Sequence, residues 1–158
     1  MRAYVIAMTP RRIRLLIDGK IKKDVKINCP RGAMPFKCYV YCPIKKYNTS
    51  RSHIKAMRET GQEYDEWKGN IIAEFVCTEM RPVLRLPPLS FFDETQLTIE
   101  EYNAMRLKAA SKMRTLTITD LKVYDTPVPL SGLQKTDGSN IDSLIGAFTP
   151  VFTPVEEM

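Results

Sequence analysis

The chain has 158 residues, 44% of them apolar and 27% charged, which fits one globular domain with its own core and excludes a fibrous or low-complexity protein. It holds no run of about 18 apolar residues, so no membrane-spanning helix is expected, and the apolar start Ala3 to Met8 is too short for a signal peptide. The net charge of +6 hides an asymmetry: residues 1–60 carry fifteen Lys and Arg against three acids, the remainder nine against fifteen, which points either to a polyanion-facing surface or to a basic solvated face meeting an acidic one.

Tyr4 to Met8 (YVIAM) is short, apolar and partly β-branched, and predicts a strand. Pro10 takes a first helical position with Thr9 as N-cap. Arg11 to Ile17 continues as an amphipathic helix, with Ile13, Leu16 and Ile17 on one face and Arg11, Arg12 and Arg14 largely on the other. Gly19 stops it. Lys20 to Asn28 alternates, Ile21, Lys23, Val25 and Ile27 against Lys20, Lys22, Asp24 and Lys26; this is the pattern of a half-buried strand with a charged outer face. Turn chemistry (CPRGAMP) leads to a strong strand, Phe36 to Cys42.

Residues 44–69 are polar and irregular, and read as an insertion with a short helix near Ser52 to Glu59. Gly69 opens a strand over Asn70 to Cys77, and Pro82, Pro87 and Pro88 interrupt regular structure after it. Thr98 and Glu101 form a capping box for a helix running to Met113. Leu116 to Tyr124 alternates as the last core strand. From Thr126 onward Pro, Thr, Gly and Ser dominate around one apolar island, Ile141 to Phe148, so an extended or partly disordered arm is expected.

Cys29, Cys38, Cys42 and Cys77 lack both an export context for disulfides and the close pairing of a zinc site, so they read as small core residues, reduced and metal-free. The single His53 leaves no metal cluster and no plausible Ser/His/Asp set. No glycine-rich phosphate loop occurs. The acid pairs Asp93–Glu94 and Glu100–Glu101 sit at a loop and a helix start.

The order of segments resembles the ASCH family. The opening strand, the Pro10-led helix and Leu16-Ile17-Asp18-Gly19-Lys20, with Asp24 and Lys26 after them, are similar to the start of an ASCH domain. Phe36 to Cys42, Gly69 to Phe75, Leu97 to Tyr102 and Ile118 to Asp125 with Pro127 resemble later segments of ASCH-like proteins of phages and prophages. The resemblance covers roughly residues 1–130. It implies an α+β fold, a small PUA-like mixed β-barrel with helices at its open ends, and then a Pro/Thr-rich arm at 131–158.

The resemblance also implies binding of RNA or a modified nucleotide in the cytoplasm of a bacterial host cell, with no cofactor and no membrane. Hydrolase members carry a Lys two residues after the turn glycine and a Thr five after it; here these are Ile21 and Asp24, which favours binding over catalysis. An aromatic platform before the closing strand is replaced by Thr115-Leu116-Thr117. The expected site is therefore Arg11, Arg12, Lys20, Lys22, Asp24 and Lys26 around the first helix and the next strand, with Glu74 on the neighbouring wall. Two alternatives stand beside it: a phage inhibitor that contacts a host defence protein through 44–69 and the arm, and a degenerate acylated-pyrimidine amidohydrolase or ribonuclease.

Overall fold

The computed structural model describes residues 1–32, 34–44, 63–141 and 151–158. The expected helix near 52–59, His53 and all of the apolar island except Ile141 lie outside them. The described elements run β1 (Arg2–Ala7), α1 (Pro10–Ile17), β2 (Lys23–Lys26), β3 (Phe36–Tyr41), α2 (Glu63–Trp67), β4 (Asn70–Pro82), α3 (Leu89–Thr95), α4 (Ile99–Ala109), β5 (Arg114–Pro129) and β6 (Thr153–Val155). Six strands make one curled half-barrel sheet in the order β2-β5-β4-β3-β1-β6, with only the β1–β3 pair parallel. The α+β class and the barrel-like mixed sheet are those expected from the sequence.

Local chemistry explains most element ends. Pro10 occupies the first turn of α1, but the Thr9 side chain makes no capping bond. Gly19 stops the chain after α1 at φ +73°, a left-handed conformation that costs glycine little. At Thr98 the capping box is complete: the hydroxyl accepts from Glu101 N–H, and the Glu101 carboxylate accepts from Thr98 N–H. The helix it starts is regular to Ala109 and tightens into a 3₁₀ turn over Ala110–Lys112.

β4 and β5 are longer than their alternating cores suggested, and three register shifts between them let the pair bend. Pro82 is the last residue of β4, a place where a missing N–H is tolerated. α2 and α3 have five and seven residues, too few to show a helical period, yet Tyr64, Trp67, Phe91 and Thr95 within them are buried. Within the arm, Thr153–Val155 pairs antiparallel with β1 as the sheet's edge strand.

Period-2 alternation sorts the strands onto two faces. Tyr4, Ile6, Phe36, Cys38, Val40, Phe75 and Leu116 pack with Ile13 and Leu16 of α1 on one face. Val5, Tyr39, Tyr41 and Ile71 pack on the other with Leu130, Leu133 and Ile141. A third cluster covers the outer side of β2: Val25 and Ile27 pack with Phe91 of α3, Tyr102 of α4 and Leu97 between them. Among the described residues no helix is long and apolar enough to cross a membrane.

Candidate functional site

The third cluster overturns one expectation. β2 is covered on both sides, so its supposed charged outer face is interior: Asp24 is 0% and Lys26 3% exposed. In the β2–β5 register Asp24 stands opposite Leu116, so Asp24 and Lys26 share the face that Ile13 and Leu16 cover. Arg12 joins them. It lies four residues before Leu16 and so on the same edge of α1, where it is 5% exposed rather than solvated as the helical pattern suggested.

These three side chains form a buried charge cluster at the seam between α1 and β2. Arg12 Nη2 donates to Asp24 Oδ1 at 2.9 Å. Lys26 Nζ lies 3.0 Å from Asp24 Oδ2, close in charge but poorly aligned as a hydrogen bond, and donates to the Ala7 carbonyl at 3.0 Å. Burial pushes the Asp24 pKa up, but attraction to Lys26 and then Arg12 outweighs it, and the net shift is downward. Among the described residues the cluster thus holds two cations against one anion, and Arg12 Nη1 is buried without a partner.

The other expected site residues are placed less centrally. Lys20 and Lys22 are exposed beyond the turn glycine. Arg11 is half-buried and pairs with Glu101 of α4. Glu74 lies apart from the seam: its register partner is Tyr39, on the opposite face from the Phe75–Cys38 pair. There Glu74 accepts from Lys37 Nζ and Tyr124 Oη, each at 3.0 Å. Burial raises its pKa, and the bonds from Lys37 and Tyr124 bring it below the usual carboxylate value. Lys37 was legible as the one charge in the FKCYVYC strand, but its partners, Glu74 on β4 and Glu157 just past β6, were not.

Two of the clefts among the described residues lie outside this seam. One, of about 470 Å³, runs past Lys23, Arg81, Val83, Phe91 and Glu94; the other, of about 370 Å³, lies between Leu84, Arg85, Tyr102 and Arg106. Neither is lined by Arg12, Asp24 or Lys26.

Among the described residues no three His, Cys, Asp or Glu side chains are placed to hold a metal. No disulfide links the four cysteines, and Cys38, Cys42 and Cys77 are buried. Burial pushes the thiols of Cys29 and Cys77 up to about 12 and about 11, and that of Cys38 well above its usual value. Only the thiolate reacts, so native protein at pH 8 is expected to label slowly at these three positions with a thiol reagent. All four should titrate at once in denaturant; fast stoichiometric labelling of the native fold would contradict the burial.

No family model matches the chain, and no curated protein matches it in sequence. Among solved structures, two mutant forms of the ASCH protein from Zymomonas mobilis superpose with TM-scores of 0.52 and 0.51 at 11% and 12% identity, over 82% and 81% of this chain and 77% and 74% of theirs. The ASCH protein itself superposes at 0.50 with 10% identity, over 95% of this chain and 86% of its own. Identity this low carries the fold; residue roles rest on this chain's own geometry.

Proposed function

From the PUA-like ASCH fold as premise, we propose that the chain is an RNA- or nucleotide-binding module and that the α1–β2 seam is its binding site. The observation that carries the reading is the buried guanidinium of Arg12. One nitrogen is fixed by Asp24, and the other, Nη1, has no partner among the described residues, inside a cluster with surplus positive charge. A buried donor left unmatched is costly, and a phosphate or a carbonyl on a base edge would satisfy it. Lys20 and Lys22, exposed at the start of the same segment, would hold the adjoining phosphates.

Binding fits these residues better than hydrolysis. Ile21 is buried and apolar where a hydrolase would place its lysine. Asp24 is held as an anion by two cations, which makes it a poor proton acceptor. The phage-like order of segments sets the reading in a bacterial cytoplasm, with residues 1–130 as the module and 131–158 as its arm.

Fluorescence anisotropy with a short single-stranded RNA tests the proposal. Affinity should fall steeply with salt, because each neutralised phosphate releases a counterion. The Lys20→Ala/Lys22→Ala double variant should bind about tenfold or more weakly, with a shallower salt slope and an unchanged melting curve, since both side chains are exposed. Equal affinity of the double variant and the wild type would remove the seam as the site. No binding at low salt would remove the function.

A further inference from the structure

Of the two clefts outside the seam, the larger has its charges matched: Lys23 pairs with Glu94 at 3.1 Å, and Arg81 pairs with Glu79. The smaller does not. Arg85 and Arg106 line it, no acid does, and neither arginine has a carboxylate partner among the described residues. Both are set in place by the fold. Arg106 Nη1 and Tyr102 Oη donate to the Arg85 carbonyl, at 3.0 and 3.2 Å, so α4 and the loop before α3 hold each other. Tyr102 is buried, its ring edge-on against Phe91 and Phe92 with centroids 5.8 and 5.6 Å away, which fixes that side of α4. The remaining guanidinium donors of Arg106 and those of Arg85 have no acceptor among the described residues. Val83, Leu84 and Met113 give the rest of the lining an apolar wall.

We propose that this cleft binds a phosphate monoester carried on a small apolar or aromatic body. The charge count selects the group. Two unmatched cations call for a dianion, and a monoester carries about −1.5 to −2 near pH 7. A carboxylate or a phosphodiester carries a single charge and leaves one cation unmatched. Guanidinium forks also suit phosphate oxygens, with short charge-assisted hydrogen bonds. The apolar wall suits the attached body, and the volume of about 370 Å³ lies within the roughly 300–1,000 Å³ of small-ligand sites. The carbonyl end of α4 opposes an anion with about half a charge, which two full cations outweigh. Tyr102 and Met113 of this cleft pack on the Val25 and Ile27 side of β2, away from Asp24 and Lys26. The inference therefore stands whether or not RNA binds at the α1–β2 seam.

An amide-resolved NMR titration of the full chain with phenyl phosphate tests it. Shifts should cluster at residues 83–86 and 106–113. Binding should weaken as pH falls from about 7.5 to about 5.5, where the monoester loses its second charge. Methyl phenyl phosphate, a diester of the same body, and benzoate should each bind about tenfold or more weakly. Arg85→Ala and Arg106→Gln should each lower phenyl phosphate affinity about tenfold or more, with unchanged circular dichroism. The glutamine keeps a donor for the Arg85 carbonyl and drops the charge. Two more ligands distinguish the sources of such a group. Adenosine 5′-monophosphate shifting the same amides supports a free nucleotide; a 5′-phosphorylated RNA shifting them, where its 5′-hydroxyl form does not, supports an RNA end. Shifts at residues 20–26 instead, or none at about millimolar phenyl phosphate, overturn the inference. So does a diester that binds as tightly as the monoester, or an Arg85→Ala/Arg106→Gln double variant that binds like the wild type.

Discussion

Replacing Asp24 with alanine should destabilise the domain by about 3–5 kcal/mol, because it strands Lys26 and Arg12 as buried cations without their counter-ion. Those residues are 3% and 5% exposed, and neither has another carboxylate partner among the described residues. Lys26 keeps only the Ala7 carbonyl. Asp24→Asn should recover little, since an amide can accept from Arg12 but carries no charge. Urea unfolding monitored by circular dichroism at pH 7 reads the effect directly. An alanine variant within about 1 kcal/mol of wild type would mean that water reaches the cluster and that the seam is not dry.

The same carboxylate gives the acid response, and the direction of its shift sets the sign. The folded-state pKa of Asp24 lies below its unfolded value, so its contribution is complete above the ordinary aspartate value near 4. It is lost as pH falls below that value toward the folded one. Wild-type stability should therefore drop on acidification through that window, and Asp24→Asn should show a smaller drop there.

Alternation and capping signals reached the sheet and α4 because those features are local. YVIAM, FKCYVYC and NIIAEFVC show their strands through β-branched and aromatic content, and Thr98 with Glu101 announces a helix start. What they could not reveal is which faces are covered twice. Lys20 to Asn28 alternates like a half-exposed strand, but α3 and α4 pack on its Val25 and Ile27 side from about 70 residues downstream while Ile13 and Leu16 of α1 cover the Asp24 and Lys26 side, so both faces are interior. Arg12 illustrates the same limit. Nothing in PRRIRLLI separates it from Arg11, yet a 100° rotation about the helix puts Arg12 on Asp24 and Arg11 on Glu101. A net surplus of charge in the first half was legible; that part of it is buried was not. Placing Lys26 among exposed contacts therefore has to be corrected, and Lys26→Ala tests folding rather than binding.

A buried ion cluster need not be there for stability, and a triple substitution separates the two roles. Well-packed apolar residues of similar volume in place of such a cluster are often neutral or stabilising, by about 1–4 kcal/mol, because three desolvation penalties disappear together. Arg12→Met, Asp24→Leu and Lys26→Met keep chain length and volume close to the originals and add to the Ile13, Leu16 and Leu116 core. The triple variant should thus regain at least the stability that Asp24→Ala loses, and it should no longer show the acid drop attributed to Asp24. On the proposed RNA-binding reading, affinity should fall well beyond the Lys20→Ala/Lys22→Ala level, since Arg12 Nη1, unpartnered among the described residues, and the surplus charge beneath it are gone. Urea midpoints and RNA anisotropy on one preparation read both. A stable triple variant that binds RNA as tightly as wild type would show that the cluster only shapes the seam. A triple variant that fails to fold would show that these charges fix the α1–β2 packing, which a hydrophobic replacement cannot do.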